Sequence, residues 1–404
     1  MSRSWRVMAG VVLVLLLGVV SARAQGGLHT DPLNLDPVVR QGYDRFYVLD
    51  FDGALGSFNK VTQQHPNEPM AWNYVLVTMI FRELYHQDLL DTTYYAHDSF
   101  LSNKRTISVS AGARQEIESL TNKVIAMCDA RIAANPKDKN AYFARGYAKG
   151  MHAVFITLVE HSFASAARQG YQARNDSEAV LKIDPLYTDA KMAIGIQEFA
   201  VASLPRWVRM VVGIMGVGGN REGGLAMLRD AAAHGVVTSM ESRTILSLFL
   251  RHDARYAEAL QVQRGLAEQV PHNYLFQLEV ANLLKDSGLG NQAIAAYEHV
   301  LDLAKTPGYF VDPRLQLAWF GLADTQRGYN DIKGAAFGYL QAAEQTNCSD
   351  WLRKRAQLNA GEMYDLLHDR AQAVSLYQMA GAPGGDQSQA DAARKYLKTP
   401  FAGK

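Results

Sequence analysis

Cysteine is scarce: Cys128 and Cys348 are the only two in 404 residues. They are too few for the disulfide framework that small exported domains use in place of a large core, and both are expected as core or free thiols. Charge of one sign is lacking too. With 41 basic against 40 acidic residues, there is no electrostatic reason to expect nucleic acid or an acidic surface as partner. Apolar–polar alternation long enough for a sheet does not occur, and prolines and glycines fall between helical stretches rather than inside strands. Neither of the two most apolar stretches, Val7 to Val20 and Leu204 to Gly219, reaches the ~20 residues that span a bilayer.

Catalytic patterns are missing as well. The glycine cluster Gly213 to Gly224 has no strand before it and no Gly-Lys-Ser/Thr after it, and Arg221 stands where a dinucleotide fingerprint would need its third glycine. The eleven histidines are scattered. His152 with His161, and His97 with Asp98, lack a third ligand at useful spacing. His86 with Asp88 and Asp91 reads as a polar helix end, and Asp50 with Asp52 and Asp365 with Asp369 as turn or solvent-facing pairs. Serine and cysteine nucleophile signatures are absent. No enzyme, cofactor or metal is expected.

The first 24 residues have the three parts of an export signal: Arg3 and Arg6, the apolar run Val7 to Val20, and Ala22-Arg23-Ala24 before Gln25. Cleavage is expected after Ala24, with the mature chain in the periplasm or cell envelope. Losing Arg3, Arg6 and Arg23 leaves 38 basic against 40 acidic residues, a formal charge of −2.

What the chain does have is a period. Arg255-Tyr256-Ala257-Glu258-Ala259-Leu260 recurs as Gly290-Asn291-Gln292-Ala293-Ile294, and Ala259 to Ala293 is 34 residues. Small residues twelve apart, each followed four residues later by an aromatic, occur as Gly42, Ala54, Phe58; Ala281, Ala293, Tyr297; Ala323, Ala335, Tyr339; and Gly361, Ala373, Tyr377. Pro66 stops the helix after Phe58. Two antiparallel helices that approach closely need a small residue on each, and a large ring to fill the gap beside them.

These residues carry a resemblance to the tetratricopeptide-repeat family. It implies an all-α, right-handed superhelical solenoid of about eight helix pairs: residues 36–235 as irregular repeats, 236–382 as regular ones, and a capping helix at 386–398. In the irregular part the small residues (Gly146; Gly195 with Gly224) stand further apart, which implies longer helices or inserted segments. In overall character the chain resembles secreted bacterial tetratricopeptide-repeat proteins.

Two insertions, 88–106 and 204–219, break the period, and scaffolds often carry function in such loops. The first is rich in Tyr94, Tyr95, His97, Asp98 and Phe100. The second opens Leu204-Pro205-Arg206-Trp207 and runs through Arg209 to Gly219 and on to Asn220-Arg221. It is similar to the mid-region of the tetratricopeptide repeat protein 39 and inclusion-body-clearance group, which implies a membrane-facing or lipid-handling role. Three readings stay open: a core helix, a membrane-interfacial helix anchored by Arg206, Trp207 and Arg209, or a partner-binding lid.

Family register puts helix-A positions two, five, nine and twelve on the concave face. In the first half these positions supply the candidate partner-binding groove: Tyr43, Phe46, Asn73, Val77, Phe143, Tyr147, Met192 and Phe199. Such a face suits an extended peptide, an amphipathic helix or an acyl chain, unless the insertions fold back and fill it. Later repeats add the polar Arg251, Asn282, Lys285, Asp324, Arg327 and Arg355. The carboxylate clamp of chaperone-binding relatives is missing, because Val39 and Tyr43, or Leu278 and Asn282, hold its positions. The expectation is a non-catalytic envelope scaffold for a protein or peptide partner; the alternative is a membrane- or lipid-associated factor using 204–219.

Overall fold

A computed structural model describes residues 28–94, 107–204, 218–383 and 387–403. Among them the chain forms seventeen α-helices and no strand. Sixteen form eight pairs: α1 (Pro37–Tyr47) with α2 (Phe51–Gln64), α3 (Pro69–His86) with α4 (Ala111–Ala134), α5 (Lys139–Leu158) with α6 (Phe163–Ile183), α7 (Lys191–Ser203) with α8 (Arg221–His234), α9 (Ser239–His252) with α10 (Tyr256–Gln269), α11 (Tyr274–Asp286) with α12 (Gly290–Leu303), α13 (Leu315–Gly328) with α14 (Ile332–Glu344), and α15 (Asp350–Leu366) with α16 (Arg370–Ala380). The last helix, α17 (Gln387–Lys398), packs on α16 and α15 and buries Ala393 beside Tyr377 and Ala380. Each helix packs on its chain neighbours. This is the all-α solenoid of tetratricopeptide-type pairs that the period predicts.

The turn within a pair is built the same way six times. A single residue swings into the left-handed region, at Leu49 (φ 69°), His161 (52°), Ala254 (56°), Gly288 (74°), Asn330 (61°) and His368 (62°), and the next residue is the N-cap of the second helix. For a residue with a Cβ that conformation costs about 1–2 kcal/mol. In three of the turns an aspartate cap offsets it: Asp50, Asp331 and Asp369 accept from the backbone N–H of Gly53, Gly334 and Gln372 at 2.9, 2.9 and 3.1 Å. Asp88 takes the same left-handed turn after α3 (φ 55°), yet the next long helix waits until Ala111. The first insertion therefore starts where the partner helix of the second pair would otherwise begin.

Side-chain size sets the spacing of the helices. An added Cβ on Gly42 would stand 2.3 Å from Phe58 Cε1, and one on Gly361 2.6 Å from Tyr377 Cε1. Tyr297 fills the gap onward, pressing on Gly321 of the next pair at 2.6 Å by the same measure. The six alanines of the pattern are all fully buried. The buried Tyr297, Tyr339 and Tyr377 donate their hydroxyls to Asn282 Oδ1 (2.6 Å), Asp324 Oδ1 (2.5 Å) and Asp365 Oδ2 (2.8 Å), each on the first helix of the same pair. In the irregular half the small residues bring backbone to backbone instead. A Cβ on Gly195 would meet the Gly224 carbonyl at 2.8 Å, and one on Gly146 the Ala173 carbonyl at 3.1 Å. Here α5 and α6 lengthen to 20 and 21 residues.

Cys128 and Cys348 are buried free thiols, and burial pushes both up to about 12, so neither supplies a thiolate near neutrality. No described helix is long and apolar enough to cross a membrane. Replacing Gly42 by Ala should lower stability by about 1–3 kcal/mol, because the Phe58 ring has nowhere to go. Gly56 has nothing within 4 Å of an added Cβ, so the same change there should raise stability by up to about 1 kcal/mol. Urea-unfolding midpoints of the two variants, moving in opposite directions, check the packing rule.

Candidate functional site

The eight residues nominated for a partner-binding groove are packed against other parts of the chain. Phe46, Asn73, Val77, Phe143, Tyr147, Met192 and Phe199 are all buried, and Tyr43 is half-buried. Asn73 Nδ2 donates to the Ala144 carbonyl at 2.8 Å, Phe143 packs on Tyr187 with centroids 5.0 Å apart, and Phe199 stacks on Phe249 at 4.0 Å. An open aromatic groove in the first half is thus corrected to a closed interior.

Its occupant is the chain itself, through the segment before α1. His29 Nδ1 lies 2.8 Å from Asp184, Thr30 donates to Asp189 at 3.3 Å, and Tyr187 Oη accepts from the Asp31 N–H at 3.1 Å. Tyr74 Oη donates to Asn34 Oδ1 at 2.6 Å. Asp189 also accepts from the backbone N–H groups of Val236, Val237 and Thr238 at 2.8–3.0 Å, tying the turn before α9 to the same spot. Arg206, Trp207 and Arg209, the candidate membrane contacts, lie outside the described residues, as does most of the first insertion.

A second strap crosses the inner face of the later pairs. It runs from the end of α3 through Thr93. Asp88, read from sequence as part of a polar helix end, is 1% exposed. Its carboxylate takes hydrogen bonds from Arg314 Nε (2.8 Å), Gln316 Nε2 (2.8 Å) and the Ser349 N–H (3.1 Å). Trp351 Nε1 donates to the Gln87 carbonyl at 3.1 Å, Arg314 to the His86 carbonyl at 2.9 Å, and Tyr85 to the Asp312 carbonyl at 2.8 Å. Further along, Asn282 donates to Asp91 at 3.2 Å and Arg251 to Thr92 at 2.8 Å. Arg251 is buried between Glu279 (3.0 Å) and Asp286 (2.6 Å). Burial works against its charge, but the two carboxylates outweigh it and hold the guanidinium above its usual range.

Among the described residues a recess lies beside this strap. It is a shallow cleft with a free volume of about 30 Å³, lined by Asp91, Thr93, Asn282, Lys285, Leu317, Phe320, Gly321, Asp324, Leu352 and Arg355. Leu317, Phe320 and Leu352 supply its apolar side and are themselves buried. Asp324 is engaged by Tyr339, and the Arg355 guanidinium lies over the Phe320 ring at 5.2 Å. Lys285 is half-buried, and its ammonium makes no hydrogen bond or ion pair among the described residues. Past the cleft the C-terminal tail folds inward: the Phe401 N–H donates to Asp365 at 2.7 Å, and Arg327 lies over the Phe401 ring at 5.6 Å. Among the described residues no group of three or more His, Cys, Asp or Glu side chains could hold a metal ion.

Register alone put Asn282, Lys285, Asp324 and Arg355 on the inner face, and the structure brings all four to the cleft. It could not supply Leu317, Phe320 and Leu352, whose apolar character reads equally as core. Asp88 and Asp189 gave no such signal: Asp88 reads locally as part of a polar helix end with His86 and Asp91, and Asp189 has Lys191 close by in sequence.

No family model matches the chain, and no curated protein does. Solved structures that it resembles include yeast Tom70, at 11% identity over 90% of this chain and 88% of that one, with a TM-score of 0.43. A tetratricopeptide repeat protein from Parabacteroides merdae shares 12% over 81% and 99%, at 0.37. The human IFIT1 dimer with PPP-AAAA shares 12% over 91% and 85%, at 0.45. At these values the likenesses add nothing to the site, and the fold rests on the chain's own packing.

Removing the Asp88 carboxylate strands a buried guanidinium. Asp88→Ala should therefore cost about 3–5 kcal/mol, while Asp88→Leu with Arg314→Met recovers most of the loss. Denaturation midpoints measure both, and limited proteolysis between α3 and α4 should speed up only in the single variant.

Proposed function

We propose that the chain is a non-catalytic binding scaffold, and that its partner is an extended protein segment docked in the cleft beside the second strap. The observation that carries this is Lys285: an ammonium with no hydrogen bond or ion pair among the described residues, at the edge of a recess whose other side is Leu317, Phe320 and Leu352. A side chain that joins an acidic group to a neighbouring apolar one satisfies both features, with the buried apolar contact contributing most of the affinity. Asp91 and Asp324 share the same rim. Their carboxylates argue against a nucleic-acid backbone, which would need an unbroken cationic track.

The proposal includes export, supported by the Arg3–Ala24 signal pattern, so the partner belongs to the cell envelope. Two stretches of the inner face are filled by the chain itself, and the cleft lies beside the second of them. Peptides selected on the immobilised mature chain from a random library should be enriched for an acidic residue next to an apolar one. Their affinity, read by fluorescence anisotropy, should fall tenfold or more in Lys285→Glu, by roughly 1.4 kcal/mol. Selected peptides without acidic enrichment, or affinity unchanged in Lys285→Glu, would sink the proposal.

A further inference from the structure

The seam where the coil meets itself contains a carboxyl group that none of the contacts above employs. Glu241, in the first turn of α9, is buried, and one of its oxygens accepts from Tyr47 Oη of α1 at 3.0 Å. The other, Oε1, finds no partner among the described residues. The hydroxyls of Tyr43 and Tyr147 are also buried and have no hydrogen-bond partner among the described residues. The titratable groups that face Glu241 are Tyr43 and Tyr47 from α1, Tyr147 from α5 and Asp189 from the turn before α7. No lysine, arginine or histidine among the described residues acts on it.

This cluster is an interface between the first pair and the fifth and sixth. Asn273 Nδ2, at the start of α11, donates to the Tyr47 carbonyl at 2.6 Å. The Tyr47 ring packs with Met240, Leu266 and Phe276. A protonated Glu241 accepts from Tyr47 at one oxygen and is neutral as a whole, which suits a buried site. A carboxylate has nothing to donate, and it places a charge in a site with no counter-ion.

We propose that this seam is a pH-operated latch, shut while Glu241 carries its proton and loosened as it ionises. The proposal stands apart from the cleft and needs no partner. Burial is the main influence on the group, opposed by hydrogen bonds from its own N–H and from Tyr47, and it lifts the carboxyl to about 7 from an ordinary 4.5. The closed form thus holds the proton more tightly than an opened one. Seam stability is full below about pH 4.5, falls as the pH climbs toward about 7, and levels off above that.

Hydrogen exchange on the full mature chain tests this. After correction for intrinsic rates, protection of amides in residues 43–49 and 239–247 should fall about tenfold between pH 6.0 and 8.5, while α15 and α16 hold steady. Glu241→Gln should keep these amides protected at both values. Tyr47→Phe removes a bond that favours the ionised form, so the midpoint of the change should move to higher pH. Equal protection at both pH values, a loss shared by every helix, a Gln variant that responds like the parent chain, or a Tyr47→Phe midpoint that stays put would each overturn the proposal.

Discussion

Two helices reach each other's backbone only where a side chain is missing, and this chain places such gaps at fixed intervals. Gly42 and Gly361 take the rings of Phe58 and Tyr377 against their bare Cα atoms, while Gly195 and Gly224 bring two helices together carbonyl to Cα. Everything else is arranged around that close approach. Left-handed turns set the second helix antiparallel to the first, aspartate caps hold its start, and tyrosine hydroxyls bridge back to the first helix. Because each pair presents the same surfaces, the next one stacks without new rules, and one apolar core runs from Leu33 to Leu376.

A stack built this way has a concave side, and here the chain covers much of it itself. Residues 29–34 lie against the helices of the first half, and residues 85–93 against those of the second. The Phe401 tail closes the far end. Asp88 and Arg314 pair with almost no exposure, a geometry expensive to abandon, so the second strap is a fixed part of the wall. Binding is thereby confined to what the straps leave bare. The cleft at Lys285 holds a charge that no described residue pairs with.

The parts legible in the sequence were those written locally. Spacings of twelve and four residues need no knowledge of distant chain, which is why Gly42, Ala54 and Phe58 announced a helix pair and the four regular repeats fell into place. Register also singled out Tyr43, Asn73 and Phe143, which the structure packs against other parts of the chain. Access was another matter, because it depends on what lies opposite. Asp88 meets Arg314 across 226 positions, Asp31 meets Tyr187 across 156, and Tyr47 meets Glu241 across 194. No periodicity records such pairings. The aspartates involved look like ordinary turn residues until the coil brings them round, and the groove inferred from Tyr43 to Phe199 closed for that reason.

Those distant pairings also change how the molecule must assemble. A plain repeat array gains stability neighbour by neighbour and can grow from any point. Here Asp88 stays a lone acid until a segment more than two hundred residues downstream has arrived, and ordering so long an intervening loop is slow. The second pair is therefore among the first to be synthesised and among the last to be completed, so the straps turn a chain of independent modules into a body that gains its final cooperativity in one late step.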